Sequence, residues 1–570
     1  MCGIWALLDR NGANVAELLQ SFLRLSHRGP DYHSFETYPL LANESLHIGF
    51  HRLAIVNNSL YGNQPFVLER GDKTILFICN GEIYNWTTIR DRFQFDCNND
   101  CMVIPLLYLQ NPDEFLTTIP LVKGEFAFVL VECLRGPNGL SVEKIIAARD
   151  EIGIRPMYYS AADLFFTSEV KGAPPSIEVN EFPPGSMMTI VPGVREELVS
   201  FSKVYMVSSY NEHDVSYLQS IRHSVMNAVK RRLHASKPFA YLLSGGIDSS
   251  LVAAIGAHHS HLPIATFCCS IKEGTYQIGS NPPFTTGPGT DLLYAREVSQ
   301  HIRSNHTEVF FTPQEGLDAI EDVIRTIESW DTTTVRASVG QYMVCKWIRE
   351  HTDCKVVMVG EGPDEVCSSY LFNWYCPNGE ELDRTAKEYV KNIHYYDVKR
   401  ADRCISRWGL EGRVPLLDPE FIRAYWKIPG SMRTPVAKGI EKWWLREAFS
   451  ANMENQGEPI PIQGLLPESV RMRKKEAFSD GVSNEKSWYQ MIQEFVEDKV
   501  TDQELLNAGV MYPYATPMTK EAYYYRRIFE SVFPGRAPII PGFWQPKWSA
   551  EGIVTGYVDP SARTLDVYDA

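Results

Sequence analysis

This sequence has few of the features that would place a protein in a membrane, outside the cell or on nucleic acid. No apolar run approaches the roughly 20 residues that a membrane-spanning helix needs. Residues 1–8 are followed at once by the charged pair Asp9 and Arg10, unlike a signal peptide. Lys and Arg form no block, and the net charge is −15, so no nucleic acid partner is expected. We therefore expect a cytoplasmic protein with no membrane partner.

Paired cysteine motifs are also missing. The 12 cysteines show no Cys-x-x-Cys spacing, and only Cys97 with Cys101 and Cys268 with Cys269 are close together. This scatter favours reduced core residues over disulfides or zinc ligands. A chain of 570 residues with 44% hydrophobic content is too long for one core. Its length predicts roughly two to four domains.

The pattern of apolar residues changes along the chain. Short strand patterns such as 74–79 and 126–131 fill residues 1–190 and indicate an α+β, sheet-dominated domain. From residue 215 onward, helical patterns at 217–233 and 291–302 alternate with apolar strands, which predicts a parallel sheet flanked by helices. The predicted strands lie at 239–243, 263–268 and 355–359. The expected organisation is a first domain at 2–190, a linker at 191–214, a second domain at 215–530 and a tail at 531–570.

Cys2 is the first candidate catalytic residue. Loss of the initiator Met would make this thiol the N-terminal residue, next to an α-amine with a pKa of roughly 8. Such an amine can take the thiol proton during nucleophilic attack, so no histidine is required. An isolated Met-Cys start would more often be chance, and the assignment depends on the segments that follow.

Three short polar segments, at 27–31, 52–56 and 80–85, lie beside strand-like apolar runs, and residues near such strand ends can supply what a glutaminase needs. Hydrolysis of a carboxamide through a thioester requires donors to the oxyanion, and the Asn80 side chain with the Gly81 backbone N–H can supply them. Recognition of free glutamine requires a cation for its carboxylate, for which Arg52 is suited. Glu82 and Asp100 are candidates to bind its ammonium group.

These segments resemble the class II glutamine amidotransferases. The shared motifs are the mature N-terminal Cys2, Arg52-Leu53-Ala54 and Asn80-Gly81-Glu82-Ile83-Tyr84-Asn85. The resemblance implies an Ntn-type αββα sandwich, catalysis by Cys2, Asn80 and Gly81, and a glutamine site that also includes Ile55 and Val56. One position departs from the family pattern, because Met102 stands where the family usually has Glu.

A second group of motifs is typical of phosphate binding. The string Ser244-Gly245-Gly246-Ile247-Asp248-Ser249-Ser250 follows an apolar strand and opens a helical pattern. Backbone N–H groups at such a helix start, with glycines that admit the anion and Ser hydroxyls as donors, form an anion-binding nest. The string resembles the pyrophosphate loop of the ATP pyrophosphatases. A kinase-type P-loop is excluded because its Gly-Lys-Ser/Thr ending is missing.

Charged residues downstream can complete an adenylylating site. If they lie near the carboxyl ends of parallel strands, they face the ligand crevice. Asp248 and Asp364 can bind Mg²⁺, and Glu361 can take a proton from ammonia. Arg336 and Lys475 can stabilise the leaving pyrophosphate.

With these segments the whole chain resembles the glutamine-dependent asparagine synthetases. The resemblance implies glutamine, aspartate and ATP as substrates, Mg²⁺ as cofactor, ammonia carried through an internal tunnel, and a β-aspartyl-AMP intermediate. A homodimer is one possible assembly. The resemblance also implies scaffolding roles for residues 400–403 and 413–418. The implied ATP-binding residues are Leu243, Ser244, Gly245, Gly246, Asp248, Ser249, Ile271, Gly360, Glu361 and Lys475, and the implied aspartate and pyrophosphate residues are Thr333, Arg336, Asp364 and Lys475.

Several positions depart from this family's pattern. Pro363 stands where Ser is usual, the pair Ser368–Ser369 replaces a glycine-containing pair, and residues 273–290 look like an insertion, read as a surface loop. Because Pro lacks a backbone N–H, we expect Pro363 to lower the synthetase rate or change ATP affinity. Two alternatives stay open: a β-lactam-forming relative with another acceptor, and a catalytically impaired homologue with a binding role.

Overall fold

The computed structural model describes residues 1–56, 59–137, 139–209, 213–272, 289–450, 464–474 and 486–559. The chain divides into two compact units. The first comprises Met1–Tyr205, His234–Pro238 and Ser406–Glu411, and the second comprises Met206–Leu233, Phe239–Ile405 and Gly412–Ala570. The expected linker covers residues 191–214, and part of it, Arg195–Ser200, forms a strand of the first unit.

The first unit contains two six-stranded antiparallel sheets. One sheet has the order β10-β8-β9-β1-β3-β2, and the other has the order β12-β11-β7-β6-β5-β4. The strands are β1 (Gly3–Asp9), β2 (Tyr32–Pro39), β3 (Ser45–Arg52), β4 (Phe66–Arg70), β5 (Lys73–Ile83), β6 (Gly124–Gly136), β7 (Gly139–Arg149), β8 (Tyr158–Ser160), β9 (Phe165–Thr167), β10 (Asn180–Glu181), β11 (Ser186–Val191) and β12 (Arg195–Ser200).

Strand alternation gives this unit two cores. On β5, Leu76 and Ile78 join Ile4 and Phe50 of the other sheet in a core between the two sheets. The intervening residues Ile75, Phe77 and Cys79 belong to a second core, which also contains residues of the helices beyond the sheet. Successive side chains of a strand point to opposite faces, so one strand serves both cores.

Helices cover the outer faces of both sheets. The helices of this unit are α1 (Val15–Leu23), α2 (Trp86–Phe93), α3 (Val103–Gln110) and α4 (Phe115–Thr118). Helix α1 lies against β3, where a Cβ on Gly49 would come within 2.5 Å of the Phe22 ring. Ile89 of α2 and Leu107 of α3 pack on the other sheet. The layers are therefore helix, sheet, sheet and helix, which confirms the predicted αββα sandwich.

The second unit is built on a five-stranded sheet with the order β15-β14-β13-β16-β17. Strand β13 pairs in parallel with both β14 and β16, and β14 pairs in parallel with β15. The strands are β13 (Phe239–Leu242), β14 (Ala265–Ile271), β15 (Asn305–Phe311), β16 (Val356–Met358) and β17 (Glu411–Arg413), and a separate short hairpin consists of β18 (Trp548–Ser549) and β19 (Gly552–Ile553).

Helices flank both faces of this sheet, as predicted. On one face, Tyr241 packs against the helix Ile247–His258, since a Cβ on Gly256 of that helix would lie 2.4 Å from the Tyr241 ring. Phe267, on the opposite face by register, lies 5.9 Å from the Trp347 ring. The helices are α5 (Asp214–Arg231), α6 (Ile247–His258), α7 (Thr290–Ile302), α8 (Pro313–Ile327), α9 (Thr332–His351), α10 (Pro363–Val366), α11 (Gly379–Asn392), α12 (Asp397–Ser406), α13 (Pro419–Trp426), α14 (Gly430–Arg433), α15 (Pro435–Lys438), α16 (Trp443–Ala448), α17 (Glu468–Arg471), α18 (Trp488–Glu497), α19 (Asp502–Leu506), α20 (Ala508–Met511) and α21 (Lys520–Val532).

The helix lengths and compositions bear on one sequence expectation. Among the residues that the structure describes, none of the helices combines the length and apolar character needed to cross a membrane.

Candidate active sites

Cys2 lies directly before β1, and its side chain packs against the core between the two sheets of the first unit. Its Sγ is 3.9 Å from the carbonyl oxygen of Leu53. Burial raises the pKa of the Cys2 thiol to about 11. The thiol is therefore protonated at neutral pH, and attack by its sulfur requires a base.

A buried α-amine is adjacent to this thiol. It belongs to Met1, whose amine donates a hydrogen bond to the Leu410 carbonyl oxygen at 3.3 Å. Burial lowers the pKa of this amine to about 5, so it is the uncharged NH2 group at neutral pH. Removal of Met1 would transfer the α-amine to Cys2 itself, where it would be available as the base.

Arg28 holds the backbone at Cys2. Its Nε donates a hydrogen bond to the Cys2 carbonyl oxygen at 2.9 Å, and its Nη1 is 2.5 Å from Glu169 Oε1. Glu169 is fully buried and also pairs with Lys171 at 2.9 Å. The sequence analysis assigned no role to Arg28 or Glu169, because residues 28 and 169 are too far apart in sequence to suggest a pair.

Asn80 lies on the same face of β5 as the inter-sheet core residues Leu76 and Ile78. It is 1% exposed, and neither atom of its side-chain amide has a hydrogen-bond partner within the described residues. A buried amide left unpaired is destabilising, so this group is suited to a ligand. Glycine is needed at the next position, since a Cβ on Gly81 would lie 2.8 Å from the Phe126 Cβ.

Arg52 ends β3 and is fixed by neighbouring polar groups. Its Nη1 donates to the Ser59 carbonyl oxygen at 2.8 Å and to Asn63 Oδ1 at 2.7 Å. Gly62 makes space for it, because a Cβ at that position would lie 2.2 Å from Arg52 Nη2. The guanidinium is thereby held in place at the end of β3.

The other predicted glutamine-site residues follow β3 or surround the end of β5. The Ile55 carbonyl oxygen accepts bonds from Ser236, at 2.9 Å from N and 2.7 Å from Oγ, and Val56 is half-buried. Glu82 and Asp100 are buried. Asp100 Oδ2 accepts a hydrogen bond from the Ile83 N–H at 2.9 Å, and burial raises its pKa. Asp100 thus fixes the end of the strand that carries Asn80.

In the second unit, the predicted phosphate loop connects β13 to α6. The Ser249 hydroxyl accepts a hydrogen bond from the Ser244 N–H at 3.2 Å and donates one to the Gly246 carbonyl oxygen at 3.2 Å. Gly245 has a positive φ of 74°, and a Cβ there would lie 2.4 Å from the Tyr294 Cβ. The loop therefore requires glycine at 245.

Lys442 connects the two carboxylates that the sequence analysis assigned to Mg²⁺. Its Nζ is 2.5 Å from Asp248 Oδ2 and 2.6 Å from Asp364 Oδ1. Lys442 is buried, and although desolvation alone would lower its pKa, these two carboxylates raise it. No sequence motif marks Lys442, which the sequence analysis missed.

Glu361 follows β16 and faces two polar side chains. Gln341 Nε2 donates to Glu361 Oε1 at 2.8 Å, and Arg400 Nη1 is 3.5 Å from the same oxygen. Burial raises the pKa of Glu361, and the charge of Arg400 opposes that rise. A carboxylate with a raised pKa is suited to act as a general base.

One cavity of the second unit brings most of the predicted nucleotide-site residues together. Its lining includes Leu243, Ser244, Gly246, Asp248, Ser249, Gly360, Glu361 and Asp364. It also includes residues that were not predicted, among them Phe267, Cys268, Cys269, Gln341, Arg400, Lys442 and Arg473. Gly360 approaches the loop closely, since a Cβ on it would lie 2.7 Å from Ser249 N. Ile271 ends β14 and is not part of this lining.

Two of the described residues predicted for aspartate and pyrophosphate do not line this cavity. Thr333 and Arg336 lie in the first turns of α9, and neither belongs to the lining of the cavity. Arg336 is buried and pairs with Glu521 and Asp559. Lys475 lies outside the described residues, as do residues 273–288 of the expected surface loop.

Two of the departures from the family pattern have structural explanations. Pro363 is the first residue of α10, a position at which a missing N–H breaks no bond within the helix. Ser369 donates a hydrogen bond from Oγ to Asp364 Oδ1. Ser369 therefore positions one of the carboxylates that contact Lys442.

Comparisons with known proteins match both units. A family model described as asparagine synthase matches residues 220–378 and 375–555, and one described as glutamine amidotransferase domain matches residues 1–190. Asparagine synthetase (glutamine-hydrolyzing) of Homo sapiens is 35% identical over 601 residues, covering 100% of this chain and 99% of that protein. The protein of the same name from Gallus gallus is 36% identical over 601 residues with the same coverage.

Solved structures give a weaker likeness. A structure described as the allosteric regulatory enzyme of purine biosynthesis is 14% identical with a TM-score of 0.31, and the match covers 55% of this chain and 90% of that chain. The glutamine phosphoribosylpyrophosphate amidotransferase from B. subtilis is 14% identical with a TM-score of 0.29, and the match covers 64% of this chain and 82% of that chain. Both values are too low to bear on the fold.

Proposed function

This chain belongs to the asparagine synthetase family, and we propose that it makes asparagine through a β-aspartyl-AMP intermediate with ammonia released from glutamine at Cys2. Its overall activity is that of a glutamine-hydrolysing ligase that forms a carbon–nitrogen bond. The observation that carries the detailed proposal is the cavity in which the phosphate loop, the Lys442 carboxylate pair and Glu361 meet.

The proposed glutaminase step uses the residues around Cys2. After loss of Met1, the Cys2 amine takes the thiol proton, and Sγ attacks the carboxamide carbon of glutamine. The unpartnered amide of Asn80, with the Gly81 N–H, stabilises the oxyanion. The protonated Cys2 amine gives its proton to the amide nitrogen, the carbon–nitrogen bond breaks and ammonia leaves. Water then hydrolyses the thioester to give glutamate and the free Cys2 thiol. Arg52 binds the glutamine carboxylate.

The proposed adenylylation step takes place in the cavity of the second unit. A β-carboxylate oxygen of aspartate attacks the α-phosphorus of ATP, and the bond to the β-phosphate bridging oxygen breaks, which releases pyrophosphate. The Ser244 and Ser249 hydroxyls and the N-terminus of α6 bind the phosphates. Lys442 supplies a positive charge to the leaving pyrophosphate.

The Asp248 and Asp364 carboxylates suit Mg²⁺ as the accompanying metal ion. Among the described residues, no group of three or more His, Cys, Asp and Glu side chains is arranged to hold a metal. Mg²⁺ in nucleotide sites usually needs only one or two carboxylates, because water and phosphates complete its octahedron. Asp248 and Asp364 already meet at one cation, Lys442, and would hold the ion. Bound Mg²⁺ would neutralise phosphate charge.

The amination step completes the proposed reaction. Ammonia, delivered from the glutaminase site through an internal channel, attacks the carbonyl carbon of β-aspartyl-AMP. The carbon–nitrogen bond forms, the acyl carbon–oxygen bond breaks so that AMP leaves with the bridging anhydride oxygen, and Glu361 takes a proton from the attacking nitrogen. The raised pKa of Glu361 supports this assignment.

Product analysis tests this proposal. The chain is incubated with aspartate, Mg-ATP and either glutamine or ammonium, and asparagine, AMP and pyrophosphate are followed together. Equal amounts of asparagine, AMP and pyrophosphate from both nitrogen donors are expected. Formation of ADP and phosphate in place of AMP and pyrophosphate would contradict the adenylate intermediate. Glutamate without asparagine would contradict the assignment of aspartate as the acceptor.

A further inference from the structure

The cavity in the second unit is lined by five cationic side chains, those of Arg400, Lys442, Arg446, Arg473 and Lys474. Lys442 contacts Asp248, and Arg473 donates to the Ser244 carbonyl oxygen at 3.2 Å, so both side chains contact the phosphate loop. Arg446 is buried and donates to Glu441 and to the Arg471 carbonyl oxygen. Arg400 contacts none of these groups, and its partners are Asp397, Gln341 and Glu361.

The guanidinium of Arg400 has one edge occupied and one edge open. Nε and Nη2 donate to Asp397 Oδ1 at 3.1 and 2.9 Å, and Nη1 donates to Gln341 Oε1 at 3.1 Å. These bonds engage three of the five N–H donors of an arginine. Two N–H groups remain, one on Nη1 and one on Nη2, and Glu361 Oε1 lies 3.5 Å from Nη1. Neighbouring N–H groups on these two nitrogens form a fork of the kind that binds a carboxylate with two hydrogen bonds.

The proposed reaction leaves a requirement that the phosphate-loop residues do not meet. Aspartate reacts through its β-carboxylate and carries a second, α-carboxylate into the site, which needs a cation when it leaves water. Arg336, the residue expected for aspartate, already pairs with two carboxylates, from Glu521 and Asp559. Arg336 also lies outside the lining of the cavity, whereas Arg400 is part of it.

We propose that Arg400 binds the α-carboxylate of the aspartate acceptor through its Nη1–Nη2 edge, and that Asp397 and Gln341 orient that edge. This assignment rests on the proposed function and adds the residue that selects an amino-diacid as substrate. The sequence analysis placed residues 400–403 in the scaffold, and the structure places Arg400 at the cavity instead.

The neighbouring charges are consistent with this role. Asp397 is also held by the Tyr370 hydroxyl, which donates to its Oδ2 at 3.1 Å, so the carboxylate is fixed on the far edge of Arg400. Glu361 lies 3.5 Å from Arg400 Nη1, beyond hydrogen-bond distance. Among the described residues, Asp397 is the carboxylate that accepts hydrogen bonds from Arg400, and Glu361 is its second ionic partner at a longer distance.

Steady-state kinetics of Arg400→Gln test the assignment. Loss of a charged two-point contact costs roughly 10- to 100-fold in binding. We therefore expect KM for aspartate to rise by about that factor, with KM for ATP changed by less than threefold. Arg400→Lys keeps the charge and loses the planar fork, so its KM for aspartate should rise by an intermediate factor. Aspartate α-amide, which lacks the α-charge, is compared as a substrate or inhibitor, and Arg400→Gln should lose the preference for aspartate over this amide.

Arg336→Gln is the competing variant, and glutaminase activity at Cys2 in the same samples reports an intact first unit. An unchanged KM for aspartate in Arg400→Gln, an equal rise for ATP and aspartate, or an aspartate-specific rise in Arg336→Gln would overturn the assignment. If Arg400→Gln does not fold, the rise in KM for aspartate relative to the rise in KM for ATP in Arg400→Lys decides. Failure of the wild-type protein to convert aspartate would instead contradict the proposed function.

Discussion

Arg336 and Glu521 form a buried two-point ion pair in the second unit. Nε and Nη2 of the arginine donate to Oε1 and Oε2 of the glutamate at 2.7 and 2.6 Å. Asp559 accepts two hydrogen bonds from the same guanidinium, at 3.0 and 2.7 Å. The centroid of the Tyr489 ring lies 4.5 Å from Arg336 Cζ. These contacts give Arg336 a role in joining α9 to α21 and to the segment near residue 559.

Glu521→Gln should destabilise the second unit strongly. The Glu521 side chain is fully buried, and removal of one partner of a buried pair typically costs about 3–5 kcal/mol. Asp559→Asn should cost less, because the Asp559 side chain is 17% exposed and water can replace part of its interaction. Urea denaturation followed by tryptophan fluorescence measures both changes. Equal losses for the two variants would contradict a pair dominated by Glu521.

Arg336 also shows where sequence reasoning stopped. Its motif predicted a ligand-facing cation, yet its acidic partners lie 185 and 223 residues away in sequence and could not be paired from the sequence. The same limit hid Lys442, whose Asp248 partner is 194 residues away, and Arg28 with Glu169, which are 141 residues apart. Contacts between distant segments depend on packing that no local pattern encodes.

Local patterns succeeded where the chemistry is local. The strands predicted at 239–243 and 355–359 appear as Phe239–Leu242 and Val356–Met358, because uniformly apolar runs are typical of buried parallel strands. The phosphate loop could also be predicted, since Ser244, Gly246 and Ser249 interact within six residues. The αββα layers followed from the resemblance, which the alternating cores of β5 explain.

Cys2→Ala should abolish glutamine-dependent asparagine synthesis and leave ammonium-dependent synthesis within about twofold of the wild type, because ammonium salts bypass the thioester step. Cys376→Ala is the matched control, since Cys376 is the other cysteine that is not fully buried. Asparagine is measured with each nitrogen donor. Loss of both activities in Cys2→Ala would show that Cys2 is not confined to glutamine hydrolysis.

Asn80→Leu should separate activity from stability. The amide of Asn80 has no partner in the described structure, so its apolar isostere should change the free energy of unfolding by less than about 1 kcal/mol. Glutaminase kcat should fall by roughly 10²–10³, the usual effect of losing an oxyanion donor.

Gln64→Met is the matched comparison for Asn80→Leu. The Gln64 amide is buried like that of Asn80 but is bonded to Cys79, accepting from N at 2.6 Å and donating to O at 3.3 Å. Its loss should cost about 1–3 kcal/mol for each backbone group left unpaired. A larger loss of stability in Asn80→Leu than in Gln64→Met would contradict the view that Asn80 is reserved for a ligand.

Gly62→Ala should weaken glutamine binding without touching the second unit. The added Cβ would lie 2.2 Å from Arg52 Nη2 and would displace the guanidinium. KM for glutamine should rise about 10- to 100-fold, as expected for loss of a charged contact, with ammonium-dependent synthesis unchanged. Gly136→Ala, whose Cβ would meet nothing closer than 3.8 Å, is the control. Equal KM values in the two variants would argue against Arg52 as the carboxylate ligand.

His51 should make the first unit sensitive to acid. Burial lowers the pKa of His51 to about 4, and its ring stacks on Phe22 at 3.9 Å while Nε2–H donates to the Phe22 carbonyl oxygen. The unfolded chain, with an ordinary histidine pKa near 6.5, therefore binds one more proton between roughly pH 6.5 and 4. Stability is present above this range and is lost as the pH falls.

His51→Gln removes this titration and keeps an N–H donor for Phe22. Relative to the variant, the wild-type free energy of unfolding should fall by about 1.4 kcal/mol per pH unit below pH 6. Urea denaturation of both proteins at pH 7, 6 and 5 measures the difference. Parallel pH profiles would show that His51 is charged in the folded state.

Because β5 has a core on each face, the glutaminase site depends on whether the length of this strand changes by an odd or an even number of residues. Residues 75, 77 and 79 face one core, and residues 76 and 78 face the other. Asn80 therefore faces the core that Cys2 contacts only while the register of β5 with β6 is unchanged. One inserted or deleted residue before Asn80 would exchange both apolar sets and turn the amide away from the sulfur. Changes of two residues would restore the face. Length variation in this strand should therefore be tolerated in even steps and rejected in odd ones.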